Sequence, residues 1–304
     1  MVFLIAKDEA AERIYGHFGT ENCVLRPEKI APRTENSIVS RILLALVCLL
    51  LASCAGAPTI APAVRSDLAP TGKLRAGINY ANSIIATKDP VSGELRGVSV
   101  DLMREIARRI NVPLELVGFD FSGKMADALI AGEIDVGALA GGPGTGRESS
   151  MDFTAGYLQI EATYMVPPNS PVLTATDVDR EGLRVGVAAK SAFEPYLART
   201  LKRAKLVTGP GNPTAFELLR GGQVEVLAGL RHQLIEVRDK LPGSRILEGR
   251  FLVVEQTLAV RKGRDAGLEY LREFIEDAKA SGFVAQSLAK SGNGNVLVSP
   301  LMRK

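Results

Sequence analysis

One arginine stands at the end of a glycine-rich break in an otherwise apolar run. Residues 134–157 read IDVGALAGGPGTGRESSMDFTAGY. The first half is a short buried strand by composition. It empties into a loop from Gly141 to Gly146, and the loop closes on Arg147. Glycines let a backbone turn several N–H groups inward, which makes a nest for an anion, with Gly141 and Gly142 as its first members. Arg147 adds a planar fork matched to carboxylate or phosphate. A strand that delivers such a loop at its carboxyl end is where open α/β sheets place ligands. The same residues resemble a phosphate-binding loop, G-x-x-x-x-G-K-[ST], only superficially. Arg147 takes the lysine position and Glu148 the Ser/Thr position, so both chemically active positions fail.

Composition removes other classes. The 304 residues suffice for two domains, with 46% hydrophobic and 23% charged residues. The net charge is +3, without a basic run that would suit nucleic acid. His17 and His232 are the only histidines. They cannot build a histidine-based metal cluster, and a Ser-His-Asp triad could use only His232. No cofactor is expected.

The elements that must position Arg147 follow from periodicity. Residues 73–78 read as a first strand, with its carboxyl-end loop over 79–87. Leu102, Ile106 and Ile110 recur on one helical face, with Asp101 near the helix start where a carboxylate is favoured. Residues 114–117 form a second strand, and the helix before the arginine stretch ends at Gly132, a C′ glycine. The pattern then repeats. Leu129-x-x-Gly132-x-Ile134-Asp135-Val136-x-Ala138 is matched by Leu219-x-x-Gly222-x-Val224-Glu225-Val226-x-Ala228. Upstream, Leu74-Arg75-Ala76-Gly77-Ile78 is matched by Leu183-Arg184-Val185-Gly186-Val187. Two α/β lobes of like topology would produce that echo. Ser191, just after the second copy of the first strand, reads as a helix N-cap. Residues 164–168 read as one crossover between the lobes, and 251–261 as the return crossover. Residues 268–275 carry a closing amphipathic helix, and 296–298 a last strand on lobe one.

The N-terminal part carries a targeting signal. Arg41 precedes an apolar run over 42–52 of signal-peptide length, too short to span a bilayer. The run ends in Leu51-Ala52-Ser53-Cys54, which resembles a bacterial lipobox with Cys54 as the lipidated residue; simple cleavage nearby is the alternative. The acidic stretch before it does not fit a signal peptide, and a later start near Val24 or Val39 would account for it. Cys23, Cys48 and Cys54 all lie at or before the lipobox, so no disulfide is expected in the folded body. Residues 55–71, rich in Ala and Pro, read as an extended tether.

The arginine stretch resembles the extracellular solute-binding proteins of polar amino-acid-type ABC importers, whose segment has the form GxIDhhhxGhxxTxxR…xDFSxPY. Gly132, Ile134, Asp135, Arg147, Asp152, Phe153, Thr154 and Tyr157 match it. Gly144 replaces its threonine and Gly156 its proline. Residues 97–102, Gly-Val-Ser-Val-Asp-Leu, resemble the family's GfdvDL signature. The resemblance covers about residues 72–290. It implies an α/β fold, a two-lobed type II periplasmic binding protein with two crossover strands and a central ligand cleft. The division would be 1–53 for extension and signal, 54–71 tether, 72–165 first part of lobe one, 166–253 lobe two, and 254–304 the return to lobe one. It implies that Tyr80 and Asn82 face the solute and that the N–H groups around Ser191 contact it, with Lys190 where the family has glycine. The family's acid for a ligand ammonium falls on Leu230, followed by Arg231. Arg147 and Arg231 together therefore suggest an anionic solute, such as a carboxylate without an amino group; the alternatives are that Arg231 is a surface or helix-end residue and that Glu194 or Glu161 supplies an acid from elsewhere. The implied role is the binding component of an ABC importer: a monomer, lipid-anchored at the periplasmic or cell surface, presenting its small solute to a permease and ATPase. A periplasmic enzyme of the cyclohexadienyl dehydratase type is the alternative on the same fold; it would need a positioned carboxyl as general acid, for which Glu194, near a helix start in lobe two, is the only candidate, and a sensor module is a third reading.

Overall fold

The computed structural model describes residues 60–142 and 145–302. The signal segment, the lipobox with Cys54, and Gly144 of the glycine-rich loop lie outside the described residues. The chain divides into two units at residues 58 and 59, and everything described belongs to the second.

The chain enters through helix α1 (Pro62–Leu68). For residues 60–71 this corrects the expectation of an extended tether; residues 55–59 lie outside the described residues. Pro62 suits the first turn of a helix because its missing N–H is not needed there. Val64 and Leu68, four residues apart, are buried on one face. Asp67 accepts the Gly267 N–H, Arg264 lies across from the same carboxylate, and Arg65 Nε donates to Ile110 O. The segment is part of the body and not a spacer.

The order then runs β1 (Leu74–Asn79), β2 (Thr87–Lys88), β3 (Leu95–Arg96), α2 (Val98–Ile110), β4 (Leu114–Phe119), α3 (Ser122–Ala131), β5 (Val136–Ala140), β6 (Met151–Phe153) and β7 (Leu158–Val166). It continues with β8 (Arg184–Ala188), α4 (Glu194–Thr200), β9 (Lys205–Gly209), α5 (Gly211–Arg220), β10 (Val226–Leu230), α6 (Arg231–Arg238), β11 (Arg245–Ile246) and β12 (Leu252–Arg261). Helices α7 (Asp265–Ala280) and α8 (Phe283–Lys290) and strand β13 (Leu297–Val298) close the chain.

One mixed sheet carries the order β4-β1-β5-β12-β7-β10-β8-β9. Its two ends, β4-β1-β5 and β10-β8-β9, are parallel blocks. The long strands β12 and β7 pair antiparallel to each other and to the blocks beside them. These two strands are the crossovers legible at 251–261 and 164–168.

The sequence echo is a structural echo. In the first block Arg75 N–H donates to Asp135, Asp135 N–H returns to Arg75 O, and the Arg75 guanidinium pairs with the same carboxylate at 2.6 Å. In the second block Arg184 and Glu225 repeat all three contacts, the ion pair at 2.5 Å. The Arg184 guanidinium holds the Glu225 carboxyl below its ordinary range. Glycine is required one step along. A Cβ on Gly77 would stand 2.4 Å from Ile134 Cδ1, and one on Gly186 3.0 Å from Val224 Cγ2. Each block therefore seats the loop before its last strand against the first strand, and packs a like helix there: Met125 and Leu129 of α3, Phe216 and Leu219 of α5. Gly132 ends α3 in the left-handed conformation at φ 77°. Asp101 accepts from Ser287 Oγ, tying α2 to α8.

Candidate functional site

Strands β1 and β5 of one block and β8 and β10 of the other end around one small cavity, about 40 Å3 in volume. Asn79, Asn82, Phe121, Ser122 and Ala140 line it from the first block; Ser191, Ala192, Phe193, Asn212, Leu230 and Gln233 line it from the second. Val254 and Gln256 of β12 form its floor. The volume holds one or two waters. Carboxamides dominate the polar lining, and no ionised side chain is among the lining residues.

Asn82 and Ser191, expected to face a solute, both line the cavity. Their side chains are 2% and 6% exposed as residues, and Asn82 Oδ1 and Ser191 Oγ have no hydrogen-bond partner. Unpartnered buried polar atoms are rare because each forfeits its hydration. Two of them face this one cavity, one from each block. Ser191 is not the N-cap of the following helix. α4 begins at Glu194, is preceded by Phe193 without a side-chain cap, and carries Pro195 in its first turn.

Arg147 sits beside the cavity. Its Nη1 donates to Ala140 O at 3.2 Å and its Nη2 to Lys190 O at 2.7 Å, so one guanidinium spans both blocks. Burial pushes its pKa below the ordinary value, and the Asp127 carboxylate partly offsets this. Among the described residues it makes no ion pair. Two of its five N–H donors serve carbonyls, and the others remain for an anion.

Among the described residues of the glycine loop, two N–H groups are already engaged. Gly141 N–H donates to Glu255 O, and Thr145 N–H to Gly142 O and Glu148 Oε1. A Cβ on Gly141 would lie 2.1 Å from Phe153, so this glycine serves close packing. Gly142 has φ 113°, a turn conformation costly for other residues. Both line an adjoining groove with Tyr196 and Arg272, not the small cavity. Gly156, where the family motif has proline, leaves space that the Glu255 carboxylate fills, 1.9 Å from where a Cβ would stand.

Two expected residues stand elsewhere. The Tyr80 ring packs over Gly118 and under Lys88 Nζ, 5.2 Å from its centroid, and just beyond the end of β1 the Tyr80 N–H still bonds to Phe119 O of β4. Phe121 and Phe193 supply the aromatic surface instead. Arg231 turns away from the cavity. Its Nε pairs with Glu161 at 2.8 Å and its Nη2 donates to Gly249 O, while Arg250 holds the other oxygen of Glu161. Glu194 is also engaged, accepting the Lys190 N–H.

Reasoning from sequence missed Phe121, Asn212, Gln233 and Gln256. Gln256 had a signal: a carboxamide inside the apolar run 251–260, now 2% exposed in mid-strand. Further contacts cross between the blocks. Lys190 Nζ meets Asp127 at 2.7 Å, Gln233 Nε2 donates to Ala81 O at 2.8 Å, and Ser83 Oγ donates to Glu236. Lys190 holds φ 60°, the left-handed region that favours glycine. Among the described residues no cluster of metal-ligating side chains occurs, and no helix is long and apolar enough to cross a membrane.

Residues 75–293 match the model of the bacterial extracellular solute-binding proteins, family 3. The L-cystine-binding protein TcyJ of Escherichia coli strain K12 is 23% identical over 191 residues, covering 62% of this chain and 71% of that one. A solved solute receptor for L-cysteine of Neisseria gonorrhoeae is similar in fold, with TM-score 0.63 and 18% identity over 76% of this chain and 93% of its own. The ancestral amino acid-binding protein AncCDT-1, a precursor of cyclohexadienyl dehydratase, gives TM-score 0.60 and 21% identity over 74% and 97%. The fold is that of type II periplasmic binding proteins.

Proposed function

From the premise that this chain belongs to the bacterial extracellular solute-binding proteins of family 3, we propose that it is the substrate-binding component of an ABC importer. It captures a small carboxylate-bearing solute in the periplasm or at the cell surface. The parallel blocks act as two lobes, and β7 and β12 as the hinge between them. The observation that carries this reading is Arg147, a half-buried guanidinium that joins both blocks and keeps donors for an anion. Solute enters when the blocks part, and the closed, loaded form is what the permease meets. Among the described residues, parting breaks three cross-block hydrogen bonds, each worth about 1–3 kcal/mol, and one exposed ion pair. Such a closed state stays within reach of the open one at ordinary temperature. Cys54, outside the described residues, would anchor the protein to lipid, and metabolic labelling with a fatty acid in wild type and Cys54→Ala would test that.

The alternative, a dehydratase on this fold, needs a positioned carboxyl in the cavity. Glu194 does not line the cavity, and its carboxylate receives the Lys190 N–H. The test is calorimetric titration with a panel of carboxylates, amino acids and amines, with product absorbance followed on prephenate and arogenate. Saturable binding without turnover is expected. Turnover of prephenate or arogenate would replace the importer with the enzyme.

A further inference from the structure

We infer that the solute meets this site with an uncharged hydrogen-bond donor beside its carboxylate, a hydroxyl or an acylated amine, and not with an ammonium; this rests on the solute-binding reading above. The lining carries five carboxamides, Asn79, Asn82, Asn212, Gln233 and Gln256, and no Asp or Glu. Several amide groups are already committed. Asn79 Oδ1 accepts from Ala81 N–H, Gln233 Nε2 donates to Ala81 O, and Gln233 Oε1 faces Asn212 Nδ2. Asn82 Oδ1 and Ser191 Oγ are enclosed and unpartnered on opposite walls. An amide oxygen accepts from any N–H or O–H donor, and a neutral one fills it without burying a charge that no carboxylate of the lining would balance. A hydroxyl can donate to a carboxylate or accept.

An ammonium has no such welcome. Burying one without an anionic partner is among the costliest changes a site can make. Among the described residues the acids near the cavity are engaged: Asp127 by Lys190, Glu236 by Ser83, Glu194 by the Lys190 N–H, Glu161 by Arg231 and Arg250, Glu255 by Gln159 and Ser299, and Glu148 by the Thr145 N–H. Leu230, 8% exposed, adds hydrocarbon to the wall. Leaving Asn82 Oδ1 unpaired would penalise a solute with no donor at this position, and the missing anion penalises a cationic one. The selected chemistry is therefore a carboxylate with a neutral donor.

Titration calorimetry of the purified protein against matched sets tests this. Each set has the 2-hydroxy acid, the N-acetyl amino acid and the free amino acid built on one side chain, taken from alanine, leucine and glutamine. A neutral-donor form is expected to bind about tenfold or more tighter than its free amino acid, and the winning arm separates hydroxyl from acylamine. Asn82→Asp, nearly isosteric, is expected to reverse the preference. Leu230→Asp repeats that readout from the other wall should Asn82→Asp not fold. Free amino acids binding wild type as tightly as their neutral counterparts would overturn the inference while leaving solute binding intact. No heat from any carboxylate would overturn the solute-binding reading itself, and this inference with it.

Discussion

Arg147 shows how a residue's type and its surroundings divide the work. Its type was legible: a guanidinium after a glycine-rich strand exit suits an anion. Its double duty was not, because Lys190 O arrives from a strand pairing 43 residues away. Replacement by alanine removes the anion partner and a bridge between blocks, so affinity for a carboxylate should fall by about 100-fold, while Arg147→Lys keeps the charge and should lose about tenfold. Titration of the three proteins checks this. Tyr80 and Arg231 failed as ligand residues for the opposite reason: nothing local marks that Gly118 leaves room for the Tyr80 ring or that Glu161 and Gly249 O lie where Arg231 turns. His232 gives a second residue-scale prediction. Both ring nitrogens lack a partner, and burial pushes its pKa down to about 4 from an ordinary 6.5. The folded state thus resists a proton that the unfolded state accepts below pH 6.5, and stability is lost as pH falls from 6.5 towards 4. The loss from this group should be about 2 kcal/mol between pH 6.5 and 5. Chemical unfolding at the two pH values should show a smaller drop in His232→Leu.

Among the elements, the parallel blocks were the most readable. The echo of Arg75-x-Gly77 with Asp135 in Arg184-x-Gly186 with Glu225 is local, periodic and physically explained by one ion pair and one close packing in each block. The antiparallel centre was read from apolar content alone, which could not show that Gln256 points into the cavity. Helix α1 was misread because Ala and Pro content describes a spacer equally well; only the burial of Val64 and Leu68 against α7 distinguishes a docked helix. Leu68 is fully buried and would meet a Cβ on Gly267 at 2.7 Å, so the fit is tight. Leu68→Ala should cost about 3 kcal/mol of folding stability. Urea unfolding should reveal that loss with little change in solute affinity, since α1 is remote from the cavity lining.

At the scale of the whole molecule, the account is a closure. The cavity that the strand ends enclose is small, and entry of a solute between the blocks would need them to part. Lys190 resists the motion twice, through its ion pair with Asp127 and its carbonyl with Arg147, while sitting in a glycine-like conformation. Lys190→Gly relieves the backbone and removes one exposed ion pair worth no more than about 1 kcal/mol. Solution scattering without solute should show a slightly larger radius of gyration in the variant, and affinity should change by less than about fivefold. A collapse of folding would instead make Lys190 structural.

The most direct test of the central claim is a thermal-shift screen of the protein against the matched hydroxy, acylamino and amino acids, run in parallel on Arg147→Ala. A solute at 100 times its dissociation constant stabilises the folded state by about 2.7 kcal/mol. A carboxylate with a neutral donor should raise the melting temperature of wild type by several degrees and leave Arg147→Ala unmoved. An equal rise in both proteins would place the solute away from Arg147, and no rise with any compound would contradict capture in the cleft.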